Sequence, residues 1–123
     1  MTSSIPPEQM QLYIQTAQQR ERDRIEQRSQ RYRQGLQVAE AAAQILKQTF
    51  GVQRVVLFGS WLNESKIHAH SDLDLAVWGL DEALYFKAIA QLEDINPDFS
   101  IDLVRVEQAY PHIQQAIEQG VEL

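Results

Sequence analysis

The hydrophobic pattern of this chain changes its period once, at Gly51, and that change limits the folds open to it. Between Ile25 and Phe50 the residues of one stripe recur at alternating intervals of four and three positions, which is the spacing of one helix face. Pro7 can occupy the first turn of a helix, and no proline follows it before Gly51. We therefore predict one helical segment over residues 7–50 that ends at the glycine.

Beyond Gly51 the apolar residues follow a period of two, which indicates β-strands. The pattern predicts three strands and two further helices, at residues 55–58, 72–78 and 99–104 and at about 81–95 and 107–119. Asp81 is placed to cap the first of these two helices. The order helix, strand, strand, helix, strand, helix predicts an α/β (α+β) fold, a small mixed β-sheet flanked by helices. We expect its aromatic core contacts to come from Trp61, Trp78, Tyr85 and Phe86.

The N-terminal part of the long helix differs from the rest in composition. Six of the eleven basic residues lie between Arg20 and Arg33, interleaved with acidic residues, and Ile25 is almost the only large apolar side chain there. Such a stretch is either a solvated helix with ion pairs along its surface or a docking arm for a partner. We predict an N-terminal helical arm over residues 1–35, with a break at Gly35, and a second unit over residues 36–123.

The charge of the chain limits its partners. The net charge is −6, and from residue 34 onward five basic residues stand against thirteen acidic ones, a net of −8. An acidic surface does not favour phosphate backbones, so we expect no direct nucleic-acid binding and instead a metal ion or a basic protein partner. The sequence shows no apolar run of the ~18 residues that span a bilayer, no signal-peptide pattern and no cysteine. We expect a cytoplasmic protein without membrane contact.

Two aspartates occur two positions apart in a strand whose other residues are apolar. In Asp72-Leu73-Asp74 the carboxylates share one face of the strand, where like charges repel unless a cation lies between them or one is protonated. The next strand repeats the pattern with Asp102, which reaches the pair if the two strands are neighbours. Three convergent carboxylates are what a centre with two Mg²⁺ ions needs. We predict Asp72, Asp74 and Asp102 as metal-binding and catalytic residues.

A glycine and a small hydroxyl residue follow the first strand. Gly59 and Ser60 come directly after the apolar run that ends at Phe58, and a glycine at such a turn lets the backbone approach a phosphate. We predict these two residues as the phosphate-binding turn of the site. Trp61 follows them directly, and the candidates for a positive charge beside the phosphates are Lys66, Arg54 or a partner residue.

Taken together, these residues resemble a known family signature. Gly59-Ser60, an eleven-residue spacer, Asp72-Leu73-Asp74 and the downstream Asp102 are similar to the nucleotidyltransferase motif of the DNA polymerase β superfamily. The resemblance is to its smallest branch, the minimal nucleotidyltransferases (MNT), and covers residues from about 52 to 123. It implies a polymerase-β-like fold and Mg²⁺-dependent transfer of a nucleoside monophosphate from an NTP, usually ATP, to a hydroxyl.

The resemblance also implies a partner. MNT proteins are commonly encoded beside HEPN-domain toxins and act as their antitoxins, silencing the toxin by AMPylation of a tyrosine. Carried over to this chain, Gly59 and Ser60 hold the triphosphate and the three aspartates bind the metals. The arginine that the family has soon after Gly-Ser is missing here, and we expect Lys66 to bind the phosphates in its place. Two alternatives stay open at this point. One is an enzyme that modifies a small hydroxylated molecule, such as an aminoglycoside, and the other is an inactive antitoxin that neutralises its partner by binding alone.

Overall fold

A mixed four-stranded β-sheet forms the centre of the molecule. The structure is a computed structural model, which describes residues 5–123. The strands are β1 (Arg54–Phe58), β2 (Leu73–Trp78), β3 (Ile101–Arg105) and β4 (Val121–Glu122). The helices are α1 (Pro7–Phe50), α2 (Tyr85–Glu93) and α3 (Pro111–Glu118), and short 3₁₀ turns connect several of these elements.

The sheet has the strand order β3-β2-β1-β4. Strand β1 pairs antiparallel with both β2 and β4, whereas β2 and β3 run parallel and are joined by α2. A parallel pair needs such a crossover, because its strands begin at the same end of the sheet. The predicted fold class, a small mixed sheet with flanking helices, is thereby confirmed.

The two faces of the sheet bury different helices. The face that carries Leu73, Leu75 and Val77 packs against α1 and α2 in the main hydrophobic cluster. The opposite face carries Asp74 and Ala76, and around Ala76 it packs against α3 in a smaller cluster. Since α3 covers only part of that second face, the carboxylate end of β2 is left open.

Helix α1 is a single unbroken helix of 44 residues, about 66 Å long at 1.5 Å per residue. Its residues 7–27 are exposed along the whole length, whereas the second half buries the predicted stripe, including Ala39, Ala43, Leu46 and Phe50. The helix ends as predicted at Gly51, which has a left-handed φ of 67° and donates its N–H to the Leu46 carbonyl. The arm therefore projects from the body. Within residues 5–123, no helix is both long enough and apolar enough to cross a membrane.

The predicted break at Gly35 is wrong, because α1 continues through this residue. A Cβ added at Gly35 would overlap the indole atoms Cζ2 and Cε2 of Trp61, which is fully buried. Trp61 donates its indole N–H to the Tyr32 carbonyl at 3.2 Å and meets Phe99 edge to face at 5.9 Å. The glycine thus serves as a notch that admits the tryptophan, and the predicted core position of Trp61 is confirmed.

The C-terminal elements differ from the prediction in two respects. The last helix begins at Pro111, not at residue 107, because proline has no N–H to donate and fits the first turn of a helix. A 3₁₀ turn, Val106–Gln108, precedes it. The two-residue strand β4 was not predicted, since its only signal is the pairing of Val121 with Leu57, a long-range contact.

The notch predicts the effect of replacing Gly35. Helix propensity alone would make Gly35→Ala stabilising by about 1 kcal/mol, but the new Cβ displaces a buried indole, and overpacking costs about 1–3 kcal/mol. We expect a net loss of stability, with the midpoint of thermal unfolding lowered by about 4 °C for each kcal/mol at this chain size. Circular dichroism on heating measures it.

Two controls accompany this substitution. The variant Gln34→Ala alters an exposed neighbour on the same helix and should leave the midpoint almost unchanged. Replacing Trp61 by Phe removes the overlapping indole atoms, so Gly35→Ala should cost less in that background. A rise in the melting temperature of Gly35→Ala would show that helix propensity dominates and that the notch is loose.

Candidate active site

Three carboxylates lie at one end of the sheet. Asp74 and Asp102 are register partners on the parallel strands β2 and β3, so their side chains point to the same face. Asp72 directly precedes β2, and Phe58 at the end of β1 pairs with Asp74. The fold therefore brings together the three aspartates that the sequence pattern singled out; that they are catalytic stays a prediction.

The electrostatics of the group centre on Asp74. Its side chain is half-buried, while Asp72 and Asp102 are exposed. Burial, and after it the charges of Asp102 and Asp72, raise the pKa of Asp74 to about 6 from an ordinary 3.8. The cluster thus concentrates negative charge that the neighbouring side chains do not neutralise.

Carboxylate oxygens are the ligands that Mg²⁺ prefers, and a group of three with uncompensated charge fits such an ion chemically. In the part of the chain that the structure describes, no three acidic or histidine side chains are placed so that they could hold one ion. Asp72, Asp74 and Asp102 are therefore neighbours in this structure, but their side chains do not converge on one ion position.

The predicted phosphate-binding turn lies against the carboxylates. Gly59 opens a 3₁₀ turn, Gly59–Leu62, directly after β1 and has a left-handed φ of 79°. A Cβ at this position would overlap Oδ2 of Asp74. Glycine is thus required twice, for its backbone conformation and for the close approach of the backbone to the carboxylate. Ser60, the next residue, is half-buried in the same turn.

The two cations proposed from sequence differ in position. Lys66 is exposed on the 3₁₀ turn Glu64–Lys66 and makes no ion pair within residues 5–123. Arg54 lies at the far end of β1, opposite Trp78, where it pairs with Glu122 and stacks on the Trp78 ring at 4.4 Å. Since Asp74 pairs with the other end of β1, Arg54 is directed away from the site and that suggestion is wrong.

Arginines of α1 are the neighbours that sequence reasoning missed. Arg31 lines a cavity of about 240 Å³ together with Asp72, and His70 and Ser100 complete its wall. Arg31 lies one helical turn before Gly35, in the row that continues through Ala39 and Ala43 on the buried face of α1. His68 and His70 are exposed, as expected for loop residues.

A second cleft opens on the other side of Asp102. It has a volume of about 460 Å³ and is lined by Tyr85 and Phe86 of α2, Asp102 and Arg105 of β3, and Gln108 among others. The Tyr85 hydroxyl donates to the Leu103 carbonyl at 2.6 Å, and burial, with the charge of Asp102, raises its pKa.

Phe86 departs from the prediction in this cleft. The predicted core position of Phe86 is wrong, because its side chain is 82% exposed. The core face of α2 is formed by Ala88 and Leu92, and Phe86 falls outside it. An exposed aromatic ring beside a candidate catalytic carboxylate is therefore available to a ligand or partner.

The raised pKa of Asp74 predicts how stability depends on pH. The folded protein holds this proton more tightly than the unfolded chain, so the group favours folding below about pH 4. That contribution is lost as the pH rises through about 6. For a half-buried group the discounted cost of the charge is about 1 kcal/mol. Asp74→Asn should therefore raise the melting temperature in chelator by about 4 °C at pH 7.5, and by less at pH 4.5.

Melting curves between pH 4.5 and 8 measure this difference, with Asp23→Asn as the control because Asp23 is exposed in the interior of α1. Asp23→Asn should show no comparable gain at pH 7.5. A gain for Asp74→Asn that is equal at both ends of the pH range would contradict the proposed burial of charge.

Comparison with known proteins identifies the family of this chain. The family model "Polymerase beta, Nucleotidyltransferase" matches residues 40–123. No curated protein shows significant similarity to the chain. Among solved structures, the chain is similar to a MntA–HpeT toxin–antitoxin complex carrying two aspartate-to-glutamate mutations, with 25% identity, a TM-score of 0.56 and coverage of 68% of this chain and 70% of the other.

Two further structures share the fold. A toxin–antitoxin structure with AMP-PNP has 26% identity and a TM-score of 0.56, covering 68% of this chain and 70% of that one. The tri-AMPylated Shewanella oneidensis HEPN toxin in complex with an MNT antitoxin has 22% identity and a TM-score of 0.54, covering 72% and 70%. At that identity the likeness concerns the fold alone. The resemblance noted in the sequence is confirmed, and the chain belongs to the polymerase β nucleotidyltransferase family.

Proposed function

We propose that this nucleotidyltransferase is the antitoxin of a HEPN toxin and transfers AMP from ATP to a hydroxyl of that toxin, a tyrosine by preference. The observation that carries the proposal is the cluster of three aspartates whose central member, Asp74, lies against the backbone of Gly59. Support for the partner comes from the similar MntA–HpeT antitoxin structure, and support for an adenine nucleotide comes from the relative solved with AMP-PNP.

In this proposal the residues divide the reaction between them. Gly59 and Ser60 hold the triphosphate, and Asp72, Asp74 and Asp102 would hold Mg²⁺, which supplies charge neutralisation of the phosphates and acidifies the acceptor hydroxyl. The hydroxyl oxygen forms a bond to the α-phosphorus while the bond to the β-phosphate bridging oxygen breaks and pyrophosphate leaves. Asp102 accepts the hydroxyl proton.

The acceptor reaches the site through the open cleft beside Asp102. Phe86 and Tyr85 form one wall of it, with their rings edge to face at 5.4 Å. A tyrosine of a partner can pack against Phe86 with its hydroxyl directed toward Asp102. The cleft is open to solvent on the free edge of β3, and no second domain in residues 5–123 encloses a small molecule there. This favours a protein acceptor over an aminoglycoside-like one.

The transfer is tested with the protein, its HEPN partner, Mg²⁺ and each NTP in turn, followed by intact mass measurement of the partner. We expect the partner to gain AMP units with ATP, and to gain none when Asp72 and Asp74 are both replaced by Asn. Removal of Mg²⁺ by EDTA should have the same effect. A double variant that neutralises the toxin fully, while the wild-type leaves its mass unchanged, would show inhibition by binding alone.

Replacing Phe86 should reduce transfer to the partner without changing stability or ATP affinity. Because the ring is exposed, Phe86→Ala should leave the melting temperature within about 1 °C. Loss of an aromatic contact to the acceptor should reduce transfer to the partner about tenfold, with ATP affinity unchanged. Rates of partner modification and nucleotide titrations measure the two effects. Lys87→Ala, the exposed neighbour on α2, is the matched control, and an equal defect in both variants would contradict a specific acceptor contact.

A further inference from the structure

Two arginines of α1 have polar atoms that the fold leaves unpaired. In the part of the chain that the structure describes, the buried side-chain nitrogens without a hydrogen-bond acceptor are Nε of Arg28 and Nε of Arg31. A buried donor without an acceptor costs about 1–3 kcal/mol, and such groups often mark the place of a bound ion or ligand.

These arginines line a continuous depression, the arginine groove, between α1 and the loop that precedes β2. One part of it, about 410 Å³, is lined by Arg24, Arg28 and Arg31 with the loop residues Ile67–Ala69. The other part, about 240 Å³, shares Arg31 and Ala69 and ends at Asp72. The groove therefore runs from the projecting arm to the candidate active site.

The groove carries fixed positive charge. The Arg31 guanidinium lies over the Phe99 ring at 4.4 Å and donates to the Asp98 carbonyl at 3.3 Å, so its position is set by packing. Neither Arg28 nor Arg31 forms a salt bridge within residues 5–123, and Arg24 pairs only with the exposed Glu21 on its own helix. Asp72 and Asp98 line the same end of the groove as Arg31, but neither forms an ion pair with it. An anionic ligand would therefore find free guanidinium donors along the groove.

Phosphate is the anion whose geometry a guanidinium fits best, through paired N–H donors. The turn that is proposed to hold the triphosphate, Gly59-Ser60, contains no basic residue, and the first one after it is Lys66. We propose that the arginine groove binds a polyphosphate, either the β,γ-phosphates of the nucleotide substrate or the pyrophosphate product. The identity of this ligand rests on the proposed function, because nucleotidyl transfer uses a nucleoside triphosphate and releases pyrophosphate. The arginines precede residue 40, where the family match begins, so the match does not cover them.

The test is direct binding of sodium pyrophosphate by isothermal titration calorimetry on the full chain without Mg²⁺. The groove variant Arg24→Gln/Arg28→Gln is compared with the control Arg22→Gln/Arg33→Gln, which removes the same charge from exposed positions of the same helix that do not line the groove. We expect the groove variant to weaken pyrophosphate binding at least about tenfold, the loss of one or two charge-assisted contacts. The control pair should bind like the wild-type, and thermal unfolding shows that both variants are folded.

The arms of the experiment separate the sources of the anion. If ATP affinity falls together with that for pyrophosphate, while AMP affinity does not, the groove holds the β,γ-phosphates of the substrate. If only pyrophosphate binding falls, it holds the product. Equal losses in both arginine pairs, or no pyrophosphate binding at millimolar concentration, would overturn the proposal. If pyrophosphate does not bind, the groove variant is also tested for binding to the HEPN partner. Weaker binding would then show that the arginines contact an acidic segment of that protein.

Failure of the proposed function is distinguishable from failure of this site. Pyrophosphate binding is measured at equilibrium and needs no transfer. The variant Asp72→Asn/Asp74→Asn, which should abolish transfer, is expected to keep or improve metal-free pyrophosphate binding because negative charge is removed beside the groove.

Discussion

The burial of Trp61 in the Gly35 notch holds the candidate active site together. The indole follows the phosphate-binding turn directly in the chain and is fully buried against α1, with Phe99 packed on its edge just before β3. One side chain thus joins the turn, the long helix and the start of the strand that carries Asp102. Because these three parts share one contact, the positions of the candidate phosphate-binding turn, of α1 with its arginines and of the strand that carries Asp102 are coupled through the core.

Charge is distributed unevenly around the buried Trp61. The open end of the sheet concentrates three carboxylates, and the pKa of Asp74 rises because burial and its two neighbours disfavour its charged form. The arginine groove meets this cluster at Asp72. Opposite charges that lie side by side without neutralising each other suit a ligand that brings both a cation and phosphates. A metal–nucleotide complex has that composition, and the proposed transfer uses it.

Much of the fold could be predicted from the sequence because its signals are local. The period of α1, its end at Gly51 and the alternation in β2 all depend on residues near one another in the chain. Gly35 and Phe86 were misinterpreted because their roles depend on distant partners. A glycine within a helical stripe usually indicates a break, and only the position of Trp61, 26 residues later, shows that it is a notch. Likewise the exposed side of a short helix such as α2 is fixed by the sheet on which it packs.

For the site, the sequence by itself determined which groups are candidates. It placed the carboxylates of Asp72 and Asp74 two positions apart, a third, Asp102, on a later strand and a Gly-Ser turn after β1, and their expected shared face follows from side-chain alternation, which is a local property. Only the tertiary structure decided which side chains lie next to these carboxylates. It paired Asp74 with Asp102, directed Arg54 away from the site and brought Arg31 of α1 to Asp72. Strand order and helix packing depend on the burial of apolar surface across the whole chain, which no short stretch of sequence specifies.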